Sequence, residues 1–198
     1  MRGRTPKRGN SQAWRAWHIP LSQGNTTLRA GCDALDAVGM RQRDVPLIVQ
    51  LVENPKYDLP GIEIFSGATD LRQHDRLHIL LGRGLLPKDE AFVLGFTMGS
   101  SNRVGNMEEK LFALIARYVY PKKYRFEADD IAVYKDAVRL GYISHCRPLA
   151  EVDLEPMLDW PVSRIRAAIG LEVDLLRAYY AIEGRRYSGC AESQRLLA

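Results

Sequence analysis

The chain holds three cysteines in 198 residues, lacks a long apolar run, and has no acidic residue before Asp33. Each scarcity excludes a class of protein. Cys32, Cys146 and Cys190 are odd in number and far apart, which argues against a disulfide scaffold and against a paired-cysteine zinc ribbon. Reduced thiols in an intracellular compartment are expected instead. The longest apolar stretches, such as residues 91–98, are interrupted by glycine. They fall far short of the ~20 residues that span a bilayer. Period-two alternation is prominent only at residues 62–65, which rules against a β-rich fold. There is no internal repeat.

The missing acids leave the N-terminus strongly basic. Arg2, Arg4, Lys7, Arg8, Arg15 and Arg29 precede Asp33, so a net charge of +4 for the whole chain leaves the remainder at −2. The body therefore offers no phosphate-tracking surface, and nucleic-acid binding is not expected. Residues 1–25 read as a basic, flexible tail. Its Trp14 and Trp17, set among cations, would suit an anionic membrane surface. An Arg-rich, acid-free targeting peptide is a further reading, although Gly3, Pro6 and Gly9 oppose a clean amphipathic helix.

What is present is an ordinary globular composition, 46% apolar and 26% charged. Residues 26–198 are expected to form a single, compact, all-α domain. Thr26 or Thr27 caps a segment running to Val38, and Gly39 stops it. Asp44 opens a short apolar helix ended by Asn54-Pro55, followed by a loop over residues 56–66. A helix begins near Thr69 or Asp70 and fades at residues 82–84. Pro87 sits in the first turn of the next helix. Asn106 caps a helix to Tyr120, and residues 127–140 continue the helical pattern toward Gly141. A short turn at residues 154–158 and helices over 161–169 and 171–182 complete the chain.

Two of the four histidines lie in His74-Asp75-Arg76-Leu77-His78, and Glu90 follows after eleven intervening residues. A helix turns ~100° per residue. With His78 at zero, His74 lies at about −40° and Asp75 at about +60°. Leu71, Leu81 and Leu85 fall on the same side, so the imidazoles occupy the stripe that faces the core. An unpartnered polar group costs on the order of 2–7 kcal/mol to bury. A divalent cation bound by His74, Asp75, His78 and Glu90 removes that cost for all of them at once. Core histidines satisfied by ordinary hydrogen bonds are the plainer reading.

On the second helix of this hairpin, Val93, Leu94, Thr97 and Ser101 share the side of Glu90. Gly95, Thr97 and Gly99 are small, which permits close helix packing or leaves space. If Glu90 is a ligand, these residues would line an apolar cavity with one charged end, suited to an amphiphile.

The pattern His74-Asp75-x-x-His78-x11-Glu90 resembles the metal motif of the Coq4 family of ubiquinone biosynthesis. The segment Asp153-Leu154-Glu155-Pro156-Met157-Leu158-Asp159-Trp160-Pro161, running into Ile165-Arg166-Ala167-Ala168-Ile169-Gly170-Leu171, is similar to that family's closing region. The likeness covers about residues 28–171, and the residues around 95–102 diverge. The resemblance implies an all-helical homodimer peripherally associated with membranes, cytoplasmic or on the matrix side in a mitochondrion. It implies partnership with other quinone-biosynthesis proteins. It also implies a divalent metal, zinc foremost, beside a channel for a prenyl tail. By motif match His74, Asp75, His78 and Glu90 carry the metal and act catalytically; Val93, Leu94, Thr97 and Ser101, on the side of Glu90 by helical spacing, are the residues expected to bind lipid. The implied reaction is oxidative decarboxylation at ring carbon 1 of a prenylated hydroxybenzoate.

Two imidazoles with carboxylates suit zinc, and equally iron, cobalt or manganese. If Asp75 only orients a histidine, the remaining His74, His78 and Glu90 form the facial triad of non-haem iron oxygenases. A non-catalytic lipid-binding scaffold is the alternative. A metal-dependent hydrolase is disfavoured, because the His-Asp phosphohydrolase pattern needs an upstream histidine and His18 is a poor candidate. His145 beside Cys146 reads as structural, since adjacent residues seldom face each other productively.

Overall fold

The structure, a computed structural model, describes residues 13–38, 71–101 and 126–197. Among them are eight α-helices: α1 (Ala13–Ala16), α2 (Leu28–Ala37), α3 (Leu71–Leu81), α4 (Pro87–Ser100), α5 (Ala128–Ile143), α6 (Val162–Ala168), α7 (Val173–Arg186) and α8 (Ala191–Gln194). The described residues contain no strand, only an isolated antiparallel bridge between Thr27 and Pro161. The fold is all-α, as expected. The helix from Asp44, the loop at 56–66, the alternating residues 62–65 and the helix from Asn106 lie outside the described residues.

Local chemistry sets the boundaries. The Thr27 side chain accepts the Ala30 N–H at 3.2 Å and starts α2. Pro87 occupies the first turn of α4, and Asp89 accepts the Leu86 N–H at 3.1 Å. α3 ends with Gly82 at φ +68. There the Gly82 and Arg83 N–H groups return to Ile79 and His78 carbonyls at 3.2 and 2.9 Å, a helix stop that glycine makes without steric cost.

That end of α3 is tied down further. The buried Arg166 guanidinium of α6 donates to the carbonyls of Leu80 (2.8 Å), Ile79 (3.2 Å) and Leu21 (3.1 Å). The Tyr180 hydroxyl of α7 donates to Leu81 at 2.5 Å. Burial, with Arg177 adding to it, pulls Arg166 down to about 10. The carbonyls left over at a helix terminus are thus satisfied by side chains from two other helices.

Leu77, Ile79 and Leu80 of α3, Phe92 and Phe96 of α4, Val133 of α5, Ile165 of α6 and Leu176 of α7 build the core between these elements. α4 and α5 pack along their length. Gly95, Gly99 and Gly141 permit this, since a Cβ on any of them would run into backbone of the facing helix. This explains why α5 continues past Gly141 to Ile143. Glycine there is a contact, not a stop, and the pattern expected to end near residue 140 runs on.

Of the expected tail of residues 1–25, residues 1–12 lie outside the described residues, and the stretch from Trp17 onward packs into the fold. Trp17, Ile19 and Leu21 belong to the core at 7%, 6% and 4% exposure. The stretch leading into α2 is bonded to α6, with Ser163 N–H donating to Gly24 and Val162 N–H to Thr26, both at 2.9 Å. Cation count concealed an apolar alternation of Trp17, Ile19 and Leu21. Trp17 is consequently buried rather than presented to a membrane surface.

Candidate metal centre

The hairpin of α3 and α4 brings His74, His78 and Glu90 together. Each offers one ligand atom, and the three atoms lie within 4.8 Å of one another. His74 Nε2 is 2.9 Å from Glu90 Oε2. His78 Nε2 is 3.0 Å from His74 Nε2 and 3.3 Å from Glu90 Oε1. The donor atoms of a tetrahedral zinc site stand about 3.3 Å apart, given metal–ligand lengths of about 2.0–2.1 Å. The cluster is already near that spacing.

The second nitrogen of His78 is committed. Its Nδ1 lies 2.6 Å from the Gly84 carbonyl, so Nδ1 carries the proton and donates it. The Nε2 lone pair is thereby aimed at His74 and Glu90. A backbone carbonyl fixing the tautomer in this way is the usual outer partner of a metal-binding histidine. Two Nε2 atoms face each other across 3.0 Å, an arrangement that requires either a proton or a cation between them.

The electrostatics agree. Burial pushes the Glu90 carboxyl up, but His78 and His74 outweigh it and hold the group well below the usual carboxylate range. Burial likewise pulls His78 down, but the Glu90 carboxylate and its hydrogen bond prevail and raise it. The pair favours an ionised carboxylate beside a positive charge. All three residues are buried, at 7% (His74), 0% (His78) and 3% (Glu90) exposure. The donor set therefore fits a divalent cation, and this buried group can hold one.

Asp75 is not one of the three converging residues. It lies beside them and lines a neighbouring polar cavity of about 380 Å³, with Asp33 and Asp36 of α2 and Arg72 and Arg76 of α3. Burial raises its carboxyl pKa despite the nearby histidines. This cavity has charged walls and is distinct from the apolar one expected along α4, since Val93, Leu94, Thr97 and Ser101 do not line it. Of the expected lipid-lining residues, Val93 is fully buried, Leu94 is nearly so, and Thr97 and Ser101 are partly buried. The Thr97 hydroxyl has no hydrogen-bond partner among the described residues. His145 is exposed beside Glu172, whereas Cys146 is buried.

A second buried polar cluster went unread in the sequence. Arg83, between Gly82 and Gly84, pairs bidentately with Glu183 of α7 at 2.9 and 2.6 Å. Its guanidinium also lies 3.9 Å from the Phe92 ring centroid and 4.3 Å from that of Tyr180. The Ser193 hydroxyl donates to Glu183 at 2.9 Å. Arg195 Nη2 donates to Asp89 at 2.5 Å, and Nη1 donates to the Arg15 carbonyl at 2.9 Å. The only sequence cue was an arginine between two glycines at a hairpin bend.

Comparison with protein-family models, with curated proteins and with solved structures returns no match in any of the three.

Proposed function

We propose that the chain is a divalent-metal protein of quinone biosynthesis, similar to the Coq4 family, with His74, His78 and Glu90 as the metal ligands and zinc as the foremost candidate. One observation carries the reading. The two histidines and the glutamate of the His74-Asp75-x-x-His78-x11-Glu90 pattern meet in one buried cluster. Asp75 acts from beside the cluster, as a neighbouring carboxylate rather than a ligand.

A divalent cation bound there supplies Lewis-acid stabilisation of negative charge on a carboxylate or phenolate oxygen. The chain's own residues do the rest. Glu90 stays ionised and anionic, His78 presents Nε2 because Gly84 holds its Nδ1–H, and the surrounding core excludes water. The ligand proposed is a prenylated hydroxybenzoate. Its tail would run along the α4 face of Val93, Leu94, Thr97 and Ser101, which continues from Glu90. Exchange of the ring carboxylate for a hydroxyl would release carbon dioxide and remove two electrons; with water supplying the hydroxyl oxygen and dioxygen reduced to hydrogen peroxide the step balances, so dioxygen is supplied in the test and peroxide is measured beside carbon dioxide. A homodimer and peripheral membrane contact belong to the same reading. No helix among the described residues is long and apolar enough to cross a membrane.

A non-catalytic role for the same centre is favoured by one feature. The three ligands are almost wholly buried, and closed sites are more often structural than catalytic. In that reading the cation orders the hairpin and the protein presents a prenyl lipid to other enzymes. Incubating the purified, zinc- or iron-loaded protein with a prenylated hydroxybenzoate and dioxygen separates the two. Carbon dioxide release abolished by His78→Ala supports the enzyme. Lipid binding without turnover supports the scaffold. The absence of both lipid binding and turnover contradicts the quinone assignment.

A further inference from the structure

We infer that Arg195, beyond α8 near the C-terminus, is a positioning residue for the metal centre. The inference rests on the metal reading above and concerns how its ligands are held.

No atom of Arg195 is among the converging ligand atoms, yet its guanidinium touches both strands of chain that aim them. On one side it lies against the backbone of Gly84, so close that a Cβ there would fall inside the guanidinium and within 2.8 Å of the Trp17 carbonyl. Gly84 is the residue whose carbonyl fixes the His78 ring at 2.6 Å. On the other side Nη2 donates to Asp89 at 2.5 Å. Asp89 immediately precedes Glu90 and also receives the Leu86 N–H that starts α4. A third contact, Nη1 to the Arg15 carbonyl at 2.9 Å, anchors the guanidinium to the N-terminal segment. One planar, forked cation thus spans the bend between the two ligand-bearing helices, a geometry that lysine cannot reproduce.

His74 and His78 share a helix, but Glu90 reaches them only across this bend. The bend contains two glycines in three residues, Gly82 and Gly84, and so needs an external brace. Ser193 fastens α8 to Glu183 two residues before Arg195, which places the brace. Loss of an outer partner of a metal ligand costs about 10–100-fold in affinity, and Arg195 serves two ligands.

The test measures zinc affinity of the full chain by competition with a chromophoric chelator, together with the cobalt(II) visible spectrum. Arg195→Ala is expected to weaken zinc by about 10–100-fold and to shift or broaden the cobalt bands. Arg195→Lys, which keeps one charged bond to Asp89, is expected to fall between. Gly84→Ala, which displaces the guanidinium, should match Arg195→Ala. Leu176→Ala, buried in the core of α7, serves as a stability control and should lower the thermal midpoint without this loss. If Arg195→Ala does not fold, the lysine and Gly84 variants carry the test. In the metal-free protein, at a pH where His78 is neutral, its imidazole nitrogen spectrum should show a protonated Nδ1 that becomes a tautomer mixture in Arg195→Lys. Wild-type protein that binds zinc with variants unchanged within about twofold overturns the brace alone. Wild-type protein that binds no zinc overturns the metal reading and the brace with it.

Discussion

Asp89 and Glu90 are consecutive, both buried in the first turn of α4, and they meet different partners. Asp89 accepts a backbone N–H and the Arg195 guanidinium, with Arg83 3.9 Å away. Its charge is answered by arginines. Among the described residues the Glu90 carboxylate pairs with the two imidazoles, whose charge depends on a proton or a cation. Burial raises the Asp89 carboxyl even so, while the histidines hold Glu90 low. The lesson is that burial and ionisation alone do not mark a functional carboxylate. What separates the two is whether the counter-charge is permanent. A carboxylate held by arginine keeps a fixed counter-charge, whereas one held by histidines faces imidazoles that can exchange their proton for a metal.

The sharpest way to break this comparison is to remove a permanent counter-charge. Glu183→Ala strands the fully buried Arg83 guanidinium, and a loss of about 3–5 kcal/mol is expected in urea unfolding. A loss below about 1 kcal/mol would mean that the cluster is hydrated and the contrast with the histidine site is false.

Exchangeable charge is tested next. His78→Ala and Glu90→Gln should each lower zinc affinity by more than about 100-fold, beyond the effect of losing an outer partner. The pH dependence has a definite sign. Zinc must displace the proton that Glu90 stabilises on His78, so affinity falls as pH drops through the histidine range and still rises above pH 6.5, because His78 is raised. Without metal, the raised His78 contributes stability that is complete below pH 6.5 and is lost as pH rises through its folded value. Zinc titrations at several pH values, paired with thermal midpoints of the metal-free protein, check both halves.

His18 provides a contrasting histidine. Burial, with Arg195 and Arg83 nearby, lowers it to about 4 although its Nε2 donates to the Gly82 carbonyl at 2.9 Å. The unfolded chain therefore binds a proton between pH 6.5 and about 4 that the folded chain does not. Its contribution, on the order of 2–3 kcal/mol, is complete above pH 6.5 and is lost as pH falls toward 4. His18→Asn should flatten the acid limb of the stability curve, and an unchanged limb would contradict the assignment. The smallest effect belongs to the exposed pair of Arg29 and Asp159, whose side chains are 52% and 77% exposed. Asp159→Asn should change stability by less than about 1 kcal/mol.

The difference between local and distant partners also explains what could be read from the sequence. His74, His78 and Glu90 were legible because helical spacing and one short bend join them. The starts of α2 and α4 were legible from Thr27 and Pro87. The all-α class followed from the scarcity of alternation. Asp75 shares the arc of His74 and His78, and angular position on a helix cannot distinguish a residue facing the bend from one facing α2. Glu183 and Arg195 could not be found, since they lie 100 and 106 residues from Arg83 and Asp89. In the N-terminal segment the abundance of cations masks the alternation of Trp17, Ile19 and Leu21 that seats this stretch in the core.

Native mass spectrometry of the wild-type chain beside Glu90→Gln and Asp89→Asn, each with saturating zinc, tests the central contrast most directly. One zinc ion per chain in the wild type and in Asp89→Asn, with none in Glu90→Gln, is the result this account predicts. A metal-free wild type, or the same zinc content in all three chains, would contradict it.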